Sequence, residues 1–310
     1  MRIHLAALAF AALAAQCPST PPPPPPPPEP APIFRSGFEA GVTLGPPVAI
    51  EDQWGQRLFG GDAGFDWTAG LPQRPGLPPA FTYLIPPSAP LADHVSTSLE
   101  TVDGANGPTR ALKMALNHQH LASSKGTRNE FGFYPPSTYR QGYARMKLKL
   151  QPDLGDVLST TENRFRQIME WRETGNDFRW VINIRRSPQG QLFWWSWGEF
   201  LEQEPPWPWE CKSSALVPLD EWFTFEVYWK LGETNGRVWA AADGYTLLDF
   251  TGRTMKDSGL YVWWPFKIYL GEDLKGYTGP PIWQFVDDFE LYSDAPAVMA
   301  PGQVACEVSP

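Results

Sequence analysis

From residue 34 onward, apolar and polar residues alternate with a period of two far more often than they repeat at helical spacing. In "ALKMALNHQHL", Leu112, Met114 and Leu116 alternate with Lys113 and Asn117. In "YARMKLKL", Ala144, Met146, Leu148 and Leu150 share one face, and Arg145, Lys147 and Lys149 share the other. "WFTFEVYWKL" predicts a strand burying Phe223, Phe225, Val227, Trp229 and Leu231. "RVWAAADGYTLLDF" sets an Asp243-Gly244 turn between two strand-like runs, a hairpin signal. "IWQFVDDFELY" predicts Trp283, Phe285, Phe289 and Leu291 on one face, with Gln284, Asp288 and Glu290 on the other. Many strands punctuated by Gly, Pro, Asn and Asp, with few helices, predict an all-β sandwich or jelly roll.

Composition adds an N-terminal arrangement. "MRIHLAALAFAALAAQCPST" has a basic start, an apolar stretch too short to span a bilayer, and small residues at Ala12 and Ala14. It reads as an export signal over residues 1–16, with Cys17 as a candidate lipid-anchor position. Residues 17–33 hold the run Pro21 to Pro28 and read as a stiff polyproline II spacer. The β domain is expected over residues 34–295, followed by a tail over 296–310. No later apolar run is long enough for a membrane helix. After loss of the leader, Cys211 and Cys306 could pair in an oxidising compartment and staple the tail to the domain.

The formal charge is −9, but it is unevenly spread. Residues 125–186 hold twelve Lys/Arg against seven Asp/Glu, whereas residues 187–310 hold seven against eighteen. A local basic face can therefore meet an anionic ligand in an acidic chain. Nucleic acid is not an expected partner, because neither a recognition motif nor an overall basic bias is present.

Three longer stretches, "IFRSGFEAG", "DEWFTFEVYWKLGETNGRVWAAADGYTLLDF" and "WQFVDDFELYSD", resemble the concanavalin A-like jelly rolls of bacteria. That group includes heparin-lyase-type and alginate-lyase-type polysaccharide lyases, laminarinase-like hydrolases and lectin modules. The resemblance implies a concanavalin A-like β-jelly-roll sandwich of two antiparallel sheets. Jelly-roll alginate lyases also carry, in order, an Arg-x-Glu strand, a Gln-Ile/Val-His strand and a Phe-Lys-x-Gly-x-Tyr strand. This chain has Arg128-Asn129-Glu130, Gln167-Ile168-Met169 and Phe266-Lys267-Ile268-Tyr269-Leu270-Gly271 in that order. It departs from the pattern at Met169, where the family has a catalytic histidine, and at Gly271, where the family tyrosine falls.

The export signal implies a secreted, periplasmic or cell-surface protein, and the resemblance implies a lyase acting on an anionic, uronic-acid polysaccharide by β-elimination. Such a reaction needs a cation or amide on the sugar carboxylate, a base for the adjacent C–H proton, and an acid for the leaving oxygen. Arg128 and Gln167 fit the first task. Tyr269, His118 and His120 are the candidates for proton transfer. The alternative for "NHQH" is two partly buried histidines at a sheet rim. Strand parity predicts Gln167 with Trp171, and Arg179 with Asn183, on one concave sheet. Glu130, Lys267, Trp195 and Trp197 complete the expected binding face, with Trp207 and Trp209 as further ring-stacking candidates. The alternative is that Phe165, Met169 and Trp171 are core and the arginines ordinary outer-face residues.

Two other classes stay open. A lectin-like module would keep the face without the chemistry. A laminarinase-type hydrolase would use paired carboxyls among Glu199, Glu202 and Glu204, although the Glu-x-Asp-x-x-Glu pattern is missing. No cofactor is required for the chemistry. Glu39 with Asp288, near the two ends of the domain, is the expected pair for a structural calcium ion.

Overall fold

The computed structural model describes residues 30–308 apart from 47, 51–52, 57, 63, 86–89, 105, 118–126, 159–164, 174–177, 201–208, 257–259, 271–279, 296–298 and 300–304. Its strands up to the first long pair are β1 (Phe34–Ser36), β2 (Thr43–Leu44), β3 (Val48–Ile50), β4 (Gln53–Gln56), β5 (Leu58–Phe59), β6 (Gly61–Asp62), β7 (Phe65–Asp66), β8 (Ala80–Leu84), β9 (Val95–Gly104) and β10 (Gly107–Leu116). The middle of the chain gives β11 (Arg128–Phe133), β12 (Gln141–Leu150), β13 (Phe165–Glu173), β14 (Arg179–Arg186), β15 (Leu192–Glu199) and β16 (Trp209–Ser213). The last third gives β17 (Trp222–Lys230), β18 (Gly236–Ala242), β19 (Tyr245–Gly252), β20 (Tyr261–Leu270), β21 (Ile282–Tyr292) and β22 (Ala305–Val308). The described helices, Leu91–His94 and Leu154–Val157, are single turns.

Eighteen of these strands form the two-sheet antiparallel jelly roll, and β2–β5 and β6–β7 pair as separate two-stranded ribbons. One sheet runs β19-β18-β17-β12-β21-β10-β9, with β1 also paired to β21. The other runs β22-β16-β15-β14-β13-β20-β11-β8-β4-β3. Between them lies an aromatic core that includes Trp67, Trp171, Trp180, Trp194, Trp229 and Trp263. Trp67 stacks on Phe38 and Phe289 at 5.6 and 5.7 Å, and Trp229 meets Trp263 at 4.5 Å. Rings of this size bury large apolar areas, so they dominate the cohesion of the two layers.

The regular alternations fold as expected. Ala144, Met146, Leu148 and Leu150, and Phe223 through Leu231 at every second position, are buried. The β18–β19 hairpin turns at Asp243 (φ 45°) and Gly244 (φ 78°), the left-handed pair a tight hairpin needs.

Two β-bulges break the expected alternation, because an extra residue reverses the side-chain parity beyond it. On β21 the register shifts opposite Arg145 to Lys147, and Asp288 takes φ 48°. Phe289 and Leu291 therefore point inward with Gln284 and Val286, whereas Trp283 and Phe285 lie on the outer face beside Lys113 and Lys149. On β13 the register shifts between Gln167 and Met169 against both neighbours. Trp209, a ring-stacking candidate in the sequence, is instead a buried residue of β16 stacked 4.6 Å from Phe250. Residues 305–308, expected as tail, add an edge strand to β16. Cys211 is disulfide-bonded, and Cys306 lies directly opposite it in the strand register.

Candidate functional site

The site is built on the outer face of the ten-stranded sheet, where five adjacent strands align one residue each. Arg128 of β11 pairs with Tyr269 of β20, which pairs with Gln167 of β13. Gln167 pairs with Asn183 of β14, and Asn183 with Trp195 of β15. Directly opposed residues project to the same side, so the five form a row across the strands. The row continues to Lys212 of β16, which with Phe193, Ser213 and Leu216 lines a groove of about 740 Å³. From Arg128 to Lys212 the row crosses six strands, about 24 Å at the usual spacing.

The Arg128 guanidinium carbon lies 4.9 Å from the centroid of the Tyr269 ring, and a guanidinium N–H donates to the Tyr269 hydroxyl. Burial works against the charge of Arg128, but Glu130 and Glu170 raise its pKa above the ordinary value. Phe165 meets Trp195 at 5.7 Å and Tyr269 at 5.9 Å, so its ring spans the middle of the row where Gln167 and Asn183 sit. Both amide atoms of Asn183 are buried with no hydrogen-bond partner among the described residues. A buried amide without partners is costly unless a ligand or water supplies them. Arg185 stacks on Trp195 with its guanidinium carbon 4.4 Å from the ring centroid.

A second line of residues runs beside the first and alternates in charge: Glu130, Lys267, Glu170, Arg179, Glu199. Lys267 Nζ lies 2.8 Å from Glu130 Oε2 and in closer contact with Glu170. Arg179 lies 3.8 Å from Glu170 and is ion-paired with Glu199. The Lys267 side chain is only 1% exposed. Burial alone would raise the Glu170 carboxyl, but Lys267, Arg179 and Arg128 together hold it down at about 2. Arg172, on the same face, has its pKa lowered, chiefly by burial. Three carboxylates thus face four cations, counting Arg128 and Arg172, and the cluster keeps one positive charge. Arg179 also stacks over Trp197, 5.0 Å from its centroid.

Parity explains which expected residues meet. Arg179, Val181, Asn183 and Arg185 share the outer face of β14, as a regular strand requires, and so do Trp195 and Trp197 of β15. Trp171 is corrected. The bulge at Ile168 turns Met169 and Trp171 into the core, where Trp171 is fully buried and stacks on Tyr261 at 4.7 Å. The same bulge brings Glu170 and Arg172 to the outer face with Gln167, and alternation alone assigned Glu170 to the opposite one. His118, His120, Glu202, Glu204, Trp207, Gly271 and the N-terminal segment with Cys17 lie outside the described residues.

Glu39 and Asp288 come together elsewhere, at a rim with Asp62. Asp62 accepts a hydrogen bond from the Gly37 N–H at 2.6 Å, and Thr109 lies 3.1 Å from Glu39 and 2.8 Å from Asp287. Among the described residues, no group of three or more His, Cys, Asp or Glu is placed to hold a metal ion. No described helix is long and apolar enough to cross a membrane.

No family model matches the chain, and no curated protein matches it in sequence. Solved structures with a similar chain path include alginate lyase Aly36B, at 12% identity and a TM-score of 0.42, covering 59% of this chain and 80% of that one. Alginate lyase vAL-1 from Chlorella virus is similar at 11% identity and a TM-score of 0.41, covering 64% of this chain and 89% of that one. The galectin LEC-6 of Caenorhabditis elegans is similar at 13% identity and a TM-score of 0.30, covering 52% and 89%. The likeness is one of fold.

Proposed function

We propose that this protein is an exported polysaccharide lyase that cleaves an anionic, uronic-acid glycan by β-elimination on the outer face of the ten-stranded sheet. The observation that carries the reading is the row Arg128, Tyr269, Gln167, Asn183, Trp195. Its members supply the groups the reaction needs. The amides of Gln167 and Asn183 donate to the sugar carboxylate and stabilise the charge that builds there as the neighbouring carbon loses its proton. The Tyr269 phenolate takes that proton, the bond from the adjacent ring carbon to the glycosidic oxygen breaks, and the departing oxygen takes the proton from the phenol. Arg128 stabilises the phenolate before it accepts the proton. Trp195 and the groove beside Lys212 extend the face along the polymer.

A lectin-like reading has two observations in its favour. The cations of the second line are already compensated by Glu130, Glu170 and Glu199, and the core position of Met169 leaves no histidine at that place in the row. A hydrolase gains no proton donor from Glu170, because Lys267 and Arg179 hold it ionised.

The test is incubation with alginate, glucuronan and heparin-type polymers while following the ultraviolet absorbance of unsaturated uronic ends. Absorbance that disappears in Tyr269→Phe is the expected result. Polymer binding without absorbance overturns the lyase reading in favour of the lectin. New reducing ends without absorbance overturn it in favour of a hydrolase.

A further inference from the structure

Arg166 has no part in the chemistry above, yet it is fully buried between the two sheets, behind the row. Its Nη1 donates to the carbonyl of Gln167 at 2.9 Å and to the carbonyl of Lys267 at 3.1 Å. Its Nη2 donates to Gln284 Oε1 at 2.7 Å, on β21 of the opposite sheet. Burial lowers its pKa to about 9 with no carboxylate acting on it, so it stays charged at neutral pH without a counter-ion. A buried cation of this kind costs stability, and an aliphatic side chain would fill the same space more cheaply.

The two carbonyls show what the guanidinium does. The β13–β20 ladder runs through Arg166–Leu270 and Gln167–Tyr269, then resumes only at Glu170–Trp264. Within that gap, residues 168–169 of β13 face residues 265–268 of β20, and Pro265 has no N–H to offer. Gln167 is the last paired residue before the gap and Lys267 lies within it, and one planar fork joins their carbonyls to each other and to the opposite sheet.

We propose that Arg166 is a positioning residue: by bridging the Gln167 and Lys267 carbonyls from behind, it holds the interrupted ladder in the geometry that brings Gln167, Lys267 and Glu170 to the outer face together. Its consequence for catalysis rests on the lyase reading; the geometry does not. A lysine at 166 keeps the charge, but its one nitrogen cannot stand both at Nη1, which serves the two carbonyls, and at Nη2, which serves Gln284.

The test is Arg166→Lys, read by carboxyl NMR titration of Glu170 and by amide exchange over residues 165–173 and 261–270. The expected result is a Glu170 titration moved up from about 2 toward the ordinary carboxylate range. Exchange should rise tenfold or more in those two segments, with residues 222–252 unchanged. On a polymer the wild type cleaves, kcat should fall at least tenfold with KM within a few-fold. An unmoved Glu170 titration, or faster exchange spread evenly over both sheets, overturns the proposal. If the wild type neither cleaves nor binds any polyuronate, the lyase reading fails, and titration and exchange still decide the role of Arg166. If Arg166→Lys does not fold, Gln284→Leu removes only the far anchor, and the same two readouts should move in the same direction by less.

Discussion

Lys267 offers the sharpest test of the charge line. Replacing it with Met keeps most of the side-chain volume and removes the ammonium that joins Glu130 to Glu170. Both carboxyls are buried, so the substitution leaves two negative charges facing each other with little water. Removing one partner of a buried pair typically costs about 3–5 kcal/mol. The pH dependence gives an independent estimate. Glu170 is held at about 2 against an ordinary 4.5, a depressed carboxylate. Its contribution is complete above the unfolded-state value and is lost as pH falls through the folded one, and its size is about 3 kcal/mol. Without Lys267, burial still pushes Glu170 up while its strongest opposing charge is gone, so its titration rises and the variant's deficit is full at pH 7.5 and shrinks toward pH 4 as that carboxyl takes up its proton. Urea unfolding followed by tryptophan fluorescence at pH 7.5, 6, 5 and 4 measures it directly. At about 0.6 kcal/mol per degree for a chain this long, the neutral-pH loss is also about 5–8 °C in Tm. A second substitution, Glu170→Gln, should restore part of the loss at pH 7.5 and almost none at pH 4. A deficit below about 1 kcal/mol, typical of an exposed pair, or one that does not change with pH, would refute the clamp.

Tyr269→Phe should lower β-elimination by about 10²–10⁴-fold, the usual worth of a positioned proton-transfer group, while polymer retention in an affinity gel stays within a few-fold. Asp287 is pushed up to about 6, first by burial and then by Asp288 and Glu39. A raised carboxyl favours the fold below its ordinary value and loses that advantage as pH rises through about 6. Asp287→Asn should therefore stabilise the protein at pH 7.5 by about 1 kcal/mol, after discounting for residual solvent screening, and the gain in chemical denaturation should vanish near pH 4. Gly198→Ala places a methyl against the indole of Trp209; melting should show a loss of about 1–3 kcal/mol, and an unchanged Tm would mean Trp209 is not locked in the core.

Much of the framework was readable because regular strands have a strict period. The inward faces of β12 and β17 follow from alternation alone, and so does the hairpin at Asp243-Gly244. What alternation cannot show is where it stops. "FRQIMEW" contains no Gly or Pro to mark a bulge, so the single extra residue at Ile168 is invisible in the chain. It decides that Met169 and Trp171 are core and that Glu170 and Arg172 are not. "FVDDF" does carry a signal, since Asp tolerates the left-handed backbone that Asp288 adopts. Strand neighbours far apart in sequence, such as β11 beside β20 and β20 beside β13, set the row. Pairing between such segments leaves no mark in either one.

The bulge also resolves why an acidic protein gathers arginine over residues 164–186. With uninterrupted alternation, Glu170 would face the core and the outer face would carry Arg179 and Arg185 beside Lys267 and Arg128 with Glu130 and Glu199 as the nearest acids. The cations would repel one another, and their burial would go largely uncompensated. Shifting the parity at Ile168 exchanges Met169 and Trp171 for Glu170 and Arg172 on that face, which sets a carboxylate at its centre. Glu170 then lies against Lys267 and Arg179 and is held ionised by both. The arginines divide by the face they take. Arg166 turns inward to fasten the break in the ladder, Arg179 joins the neutralised line, and Arg128 stands over Tyr269 with its charge available to the row. One inserted residue thus sets which charges of the face compensate one another, and because it brings Glu170 and Arg172 out together it leaves the net positive charge of the face unchanged.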